Sequence, residues 1–309
     1  EILKLNATAL IVDALGNSTT TKLRRGAGSG TWTSPPAGPI SLSLHVGSQT
    51  IVREIIVASP AVTTLTGPIT ESTTIAADSH LEIPSDLSIP AGTTLRFEPG
   101  CLVKLGAGVT IDVLGNLEIA GTVGQPVIFT PLDPAQAWGG FFLQGGSSAA
   151  TISGAIFTGA GAAQNWISDE GFSAHRREQP ALCFDAGNSG GTCIATLSDT
   201  WIIDNPLGQA AHGNKASITF ERCLIQRTST SGQFNGGEVD FLNSHALEFP
   251  VDDNEFLDAD NDAFYLNGGD HHFQGSVIGW AKDDGIDCGG GDEGVLLVDE
   301  CWIESCFHC

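Results

Sequence analysis

The sequence predicts an all-β protein in which most of the chain winds as a coil of stacked β-rungs behind a small β domain. Three observations carry this. Apolar residues alternate with period two between turn residues, and 39 glycines punctuate 309 residues with almost no helix-period run. Short strand phrases of one type keep returning: Ile152-Ser-Gly-Ala-Ile-Phe, Phe220-Glu-Arg-Cys-Leu-Ile, Phe273-Gln-Gly-Ser-Val-Ile and Val298-Asp-Glu-Cys-Trp-Ile. Some longer phrases return at a fixed interval of 22 positions, such as 262–270 at 284–292. Strands and turns repeating every 20–30 residues without helices form a coil, because one rung cannot bury its inward face alone and its neighbours must do so.

The first 68 residues read as a small β-sandwich-like domain. Strands are expected around Ala9–Val12, Thr31–Thr33, Ile40–Val46 and Ile51–Val57, separated by Gly16-Asn17-Ser18, Gly26–Gly30 and Pro35–Gly38. Thr63–Pro68 reads as the boundary, and residues 69–309 as the coil. There Leu95 and Phe97 recur as Leu117 and Ile119, and Trp280 as Trp302, each at the interval of 22. Between Gly159 and Leu197 the pattern assigns no rungs.

The phrase Ile89-Pro-Ala-Gly-Thr-Thr-Leu95, Pro99-Gly100, Gly115-Asn-Leu117, Gly121-Thr122 and Pro126-Val-Ile-Phe-Thr130 resembles the opening coils of bacterial right-handed parallel β-helix proteins, the pectate-lyase-like superfamily. The resemblance spans about residues 70–309. It implies a right-handed parallel β-helix and leaves function open, since that fold carries lyases, hydrolases, adhesins and inert scaffolds.

Charge narrows the partners. Thirteen basic against 36 acidic side chains give a net charge of −23 and a pI near 4.4. Nucleic acid is therefore an unsuitable partner, and no run of 18 apolar residues spans a membrane. Eight Cys and no Met fit an oxidising setting, extracellular or at the cell surface. A chain opening at Glu1 without Met reads as processed, excised or partial.

The acids crowd the end of the chain: 18 lie from Glu238 to Cys309, against the single base Lys282. Such density calls for cations. Asp258, Asp260 and Asp262 form Asp-x-Asp-x-Asp, a spacing that turns alternate carboxylates toward one hard ion, with Ca2+ as the expected cofactor. Asp284 and Asp287, one rung on, complete the expected ligand set.

The same stretch bears a weak similarity to polygalacturonase-type β-helix hydrolases, which carry Asn-x-Asp, Gln-Asp-Asp and Gly-His-Gly on successive rungs. Asn261-Asp262, Lys282-Asp283-Asp284 and Phe307-His308-Cys309 follow that order, which would make Asp262, Asp283, Asp284 and His308 catalytic in an inverting glycoside hydrolysis. The match departs from the pattern: Asp262 directly follows Asn261, Lys282 replaces Gln, and no glycine flanks His308. A lyase has only Lys282 as a base.

His245, His271 and His272 with Glu248 offer transition-metal ligands, although adjacent His271 and His272 point to opposite faces of a strand. Cys301, Cys306, His308 and Cys309 read as disulfide partners or inward rung thiols, with zinc as the alternative. Cys183 and Cys193 flank a glycine-rich loop and are expected to form a local disulfide. Trp138, Trp166 and Trp201 are candidates to stack on sugars, with Trp201 at a rung position that predicts burial. The Ser- and Thr-rich stretches 18–21, 70–74 and 228–231 read either as O-glycan carriers or as exposed strand threonines. A chain stopping just after a rung strand is either truncated or covered by another molecule in a head-to-tail contact.

Together these features point to a noncatalytic extracellular surface or matrix scaffold, stabilised by divalent cations and self-associating into filaments. A polysaccharide hydrolase and a glycan-binding adhesin are the alternatives.

Overall fold

The computed structural model describes residues 7–13, 16–23, 38–57, 61–145, 148–163, 166, 179–187, 193–205, 208–248, 262–281, 283–289, 294–304 and 306. No helix occurs among them. The chain divides into two compact units, Glu1–Ala61 and Val62–Cys309.

The first unit contains a four-stranded antiparallel sheet in the order Ser18–Leu23, Ala7–Asp13, Gly38–Val46, Gln49–Val57. Ser18–Leu23 is a strand, where the sequence suggests a turn and a threonine run. Its hairpin closes where Asn17 donates from its backbone N–H and its Nδ2 to the Asp13 carboxylate, both at 2.7 Å. The second hairpin turns at Gly47-Ser48, where Gly47 takes φ 58°, the left-handed first position of a type II′ turn. The strand expected at Thr31–Thr33 lies outside the described residues.

The second unit is a right-handed parallel β-helix with three parallel sheets as its walls. Sheet 1 has ten strands from Val62–Thr64 to Trp302–Glu304, sheet 2 eight from Leu87–Ile89 to Ile286–Cys288, and sheet 3 nine from Thr73–Ile75 to Gly294–Asp299. From His80–Ile83 to Gly294–Asp299 the strands visit sheets 1, 2 and 3 in turn. The period-two pattern builds it: in Leu102–Leu105, Thr110–Val113 and Thr94–Phe97 alternate residues are buried and half-buried. The buried set forms one continuous core with phenylalanines at its centre. Phe129 stacks on Phe157 at 5.0 Å with 8° between the rings, and Phe241 meets Phe264 edge-on at 5.0 Å.

The bend from sheet 3 to sheet 1 explains the recurring phrase. At Gly154, Asp199, Arg222, Asn243, Gly275 and Glu300 the backbone enters the left-handed region, φ 48–58°. Gly, Asn and Asp suit that conformation, whereas Arg and Glu are strained there. After five of these six the next residue turns inward and donates to the carbonyl two positions back, while Ala155 follows Gly154. Thr200 bonds Ser198 O at 2.9 Å, Ser244 bonds Leu242 O at 2.8 Å, and Ser276 bonds Gln274 O at 2.8 Å. Cys223 and Cys301 occupy the same slot with weaker thiol donors, at 3.6 and 3.3 Å.

Rung length varies more than the sequence repeat implied. Contacts one rung apart span 22 residues from Asp262 to Asp284, 21 from Cys223 to Ser244, 32 from Ser244 to Ser276 and 45 from Ser148 to Cys193. The interval of 22 places Leu95 on Leu117 and Phe97 on Ile119. It fails for the tryptophans. Trp302 pairs with Val277 and faces outward, while Trp280 is buried in the following turn.

Candidate functional site

Two consecutive turns between sheets 1 and 2 build the site. Phe264–Asn267 and Ile286–Cys288 are neighbouring strands of sheet 2, pairing Phe264 with Ile286, Tyr265 with Asp287, and Leu266 with Cys288. Phe264 and Leu266 point into the core, so Tyr265 and Asp287 must point out. Asp262 and Asp284 immediately precede these strands. Ala263 N–H donates to Asp284 O at 2.9 Å and Phe264 N–H to Gly285 O at 3.2 Å. Asp284 N–H then donates to Asp262 Oδ1 at 3.0 Å.

Asp262, Asp284 and Asp287 thereby each offer a carboxylate oxygen, all lying within 4.8 Å of one another. Asp262 is buried, and the other two are half-buried. The donors are all hard oxygens, a set suited to a hard cation and unsuited to a soft one. This buried cluster can therefore hold a metal ion. Burial drives the Asp262 carboxyl up to about 7; the Asp284 N–H opposes that rise, while the negative charges of Asp287, Asp283 and Asp284 add to it.

Asp283 adds to that repulsion without placing an oxygen in the close group. Asp258, Asp260 and His308 lie outside the described residues, as do Asn261 and Lys282. The transition-metal alternative is dispersed among the described residues: His245 faces out from sheet 1, His271 is buried with Nε2 at 2.7 Å from Gly268 O, and His272 lies 3.9 Å from Asp240 on the outer face of sheet 3. Glu248 is buried and accepts from Ser231 Oγ at 2.5 Å and Thr228 Oγ1 at 3.3 Å.

The expected Cys183–Cys193 disulfide is corrected: both are free, buried thiols. Cys183 lies on a strand of sheet 2 with its side chain away from the core cluster, whereas Cys193 belongs to that cluster and neighbours Ser148 Oγ at 3.4 Å. Cys101, Cys223, Cys288 and Cys301 are free as well. Burial holds the Cys183 thiol well above its ordinary value, so it stays protonated and is no ready nucleophile.

Sequence reasoning missed the outer column of sheet 2 that leads to the cluster. Cys183, His212, Gln233, Tyr265 and Asp287 are register partners on successive rungs. Gln209 Nε2 donates to Gln233 Oε1 at 2.9 Å, and burial lowers His212 to about 4. One signal was available. The interval that sets Asp262 beneath Asp284 also sets Tyr265, the only tyrosine of the chain, beneath Asp287. The remaining members sit on rungs of other lengths, which no fixed interval connects.

Two tryptophans depart from expectation. Trp138 is wholly buried and donates Nε1–H to Thr158 O at 2.9 Å, so it belongs to the core. Trp201, expected inside, faces outward and is 45% exposed. Set against known proteins, the chain matches no family, no curated protein and no solved structure.

Proposed function

We propose that this chain is an extracellular, noncatalytic β-helical scaffold whose later rungs are clamped by a hard divalent cation, calcium. The observation that carries the reading is the convergence of Asp262, Asp284 and Asp287 from two successive rungs. An ion between them offsets the burial and the neighbouring negative charge that otherwise hold Asp262 half-protonated near neutrality, and it ties one rung to the next. Calcium is favoured because carboxylate and carbonyl oxygens, which this turn-rich region has in abundance, make up its usual shell. The extracellular placement is supported by the absence of Met; the free thiols give it no support.

A polygalacturonase-like hydrolase is the second reading, favoured by one observation: a carboxyl raised to about 7 suits a general acid. Spacing weighs against it. The oxygens of Asp262, Asp284 and Asp287 lie within 4.8 Å of one another, closer than the roughly 5–5.5 Å of retaining pairs or the roughly 6.5–9.5 Å of inverting ones. The test is paired. Thermal melts of the full chain in calcium and in chelator should differ, and polygalacturonate or neutral glucans should release no reducing sugar. Sugar release that Asp283→Asn and Asp284→Asn abolish would establish the hydrolase instead.

A further inference from the structure

We propose that the outer face of sheet 1, centred on Trp201, binds an uncharged polysaccharide. The register of this sheet sets Ile128, Ile156, Trp201, Leu224, Val277 and Trp302 in one outward column that also passes through His245. Trp201 is 45% and Trp302 64% exposed, four rungs apart, which at about 4.8 Å per rung is roughly 19 Å. Their inward neighbours Ile202, Ile225, Ala246 and Ile278 are fully buried, so the column is fixed by the core rather than free to turn in.

Charge selects the occupant. The chain carries −23, yet from Ile128 to Val277 no outward ladder position of sheet 1 holds Asp, Glu, Lys or Arg. The ions at its margins are paired with each other. Arg222 holds Asp199 through two bonds of 2.9 Å on one side, and Arg227 holds Asp204 on the other. A neutral strip on an acidic molecule repels acidic glycans and nucleic acid at long range and offers a basic protein nothing to pair with. A second copy would bring another −23 against the first.

A neutral glycan meets the face on its own terms. The apolar C–H side of a pyranose ring lies against the indole of Trp201, as flat apolar groups do on aromatic faces. Gln226, outward beside Trp201 and pairing with Ile203, and His245 on the next rung after Leu224 supply an amide and an imidazole for hydroxyl groups. The straight column of rungs suits an extended chain better than a single sugar.

The test is co-sedimentation of the full chain with cellulose, chitin and insoluble β-1,3-glucan, beside polygalacturonate gel and phosphatidylcholine vesicles, with sedimentation velocity run on the protein alone. The expected result is retention on a neutral glycan, weakened at least tenfold in Trp201→Ala and three- to tenfold in Gln226→Ala, a change at a half-exposed side chain that spares the core. Calcium or chelator should leave retention unchanged, which separates this face from the carboxylate cluster. The proposal is overturned by absence from all three neutral glycans, by variants that bind as well as the parent, by retention on vesicles alone, or by self-association that Trp201→Ala abolishes.

Discussion

The backbone N–H of Asp284 donates to Oδ1 of Asp262 at 3.0 Å, although 22 residues of chain separate them. One bond thus joins two turns of the coil and aims two carboxylates at one point. It also has an electrostatic consequence. The turn that positions Asp262 also buries it among Asp283, Asp284 and Asp287, and so makes the apo site unfavourable.

That cost sets the pH dependence of the apo protein. Asp262 has a folded value near 7 against an unfolded value of about 4, so between those limits the native chain keeps a proton that the unfolded chain has lost. Its contribution to stability therefore falls as pH rises from 4 to 7. Asp262→Asn should flatten that slope in chelator and be at least as stable as the parent at pH 7. Denaturant midpoints measured from pH 4 to 8 check this.

His212 acts in the opposite sense. Held down to about 4 by burial, it stays neutral where the unfolded imidazole, near 6.5, is protonated. Stability should rise by roughly 3 kcal/mol from pH 4 to 6.5 on this account alone. His212→Gln should remove that rise. An unchanged profile in the variant would show that the imidazole is not buried in the neutral form.

The sheet 3 to sheet 1 bends make a prediction about cysteine. Cys223 fills the position that Ser244 and Ser276 fill on later rungs, donating to a carbonyl two residues back. Cys223→Ser should therefore shift stability by less than about 1 kcal/mol, because a hydroxyl serves the slot as well. Ser244→Val should cost about 2–3 kcal/mol, since it strands the Cys223 N–H that Ser244 Oγ now accepts at 2.9 Å. Urea unfolding measures both.

The thiols themselves are open to direct counting. Thiol titration of the denatured, unreduced protein should find Cys183 and Cys193 free, and the peptides that carry them should keep their mass on reduction. A gain of two mass units on reduction, mapped to that pair, would restore the disulfide.

The coil was legible because its signal is local and repeated: alternation gave the walls, and an interval of 22 paired Leu95 with Leu117 and Asp262 with Asp284. Errors arose where a turn lengthened. Trp302 lies one rung above Val277, not Trp280, because the last rung is three residues longer than the interval assumed. Trp201 misled for another reason. Sheet 1 is apolar on its outer face too, so alternation does not say which side of Trp201-Ile202-Ile203 is the core. The free cysteines follow the same lesson: proximity in sequence across a glycine loop set Cys183 and Cys193 together, while the fold turns Cys193 into the core and Cys183 away from it. Of the site, the three acids of two rungs were readable, whereas the column from Cys183 to Tyr265 needed the register itself.

The most direct test of the cation clamp is calorimetric titration of the chelator-treated full chain with calcium, at constant ionic strength, on the parent and on Asp262→Asn and Asp287→Asn. The account predicts saturable binding that involves this site, lost or weakened at least tenfold in each variant, with a melting temperature that rises by roughly 5–10 °C at a hundredfold excess over the dissociation constant. No heat beyond dilution, or the same affinity in all three proteins, would contradict it.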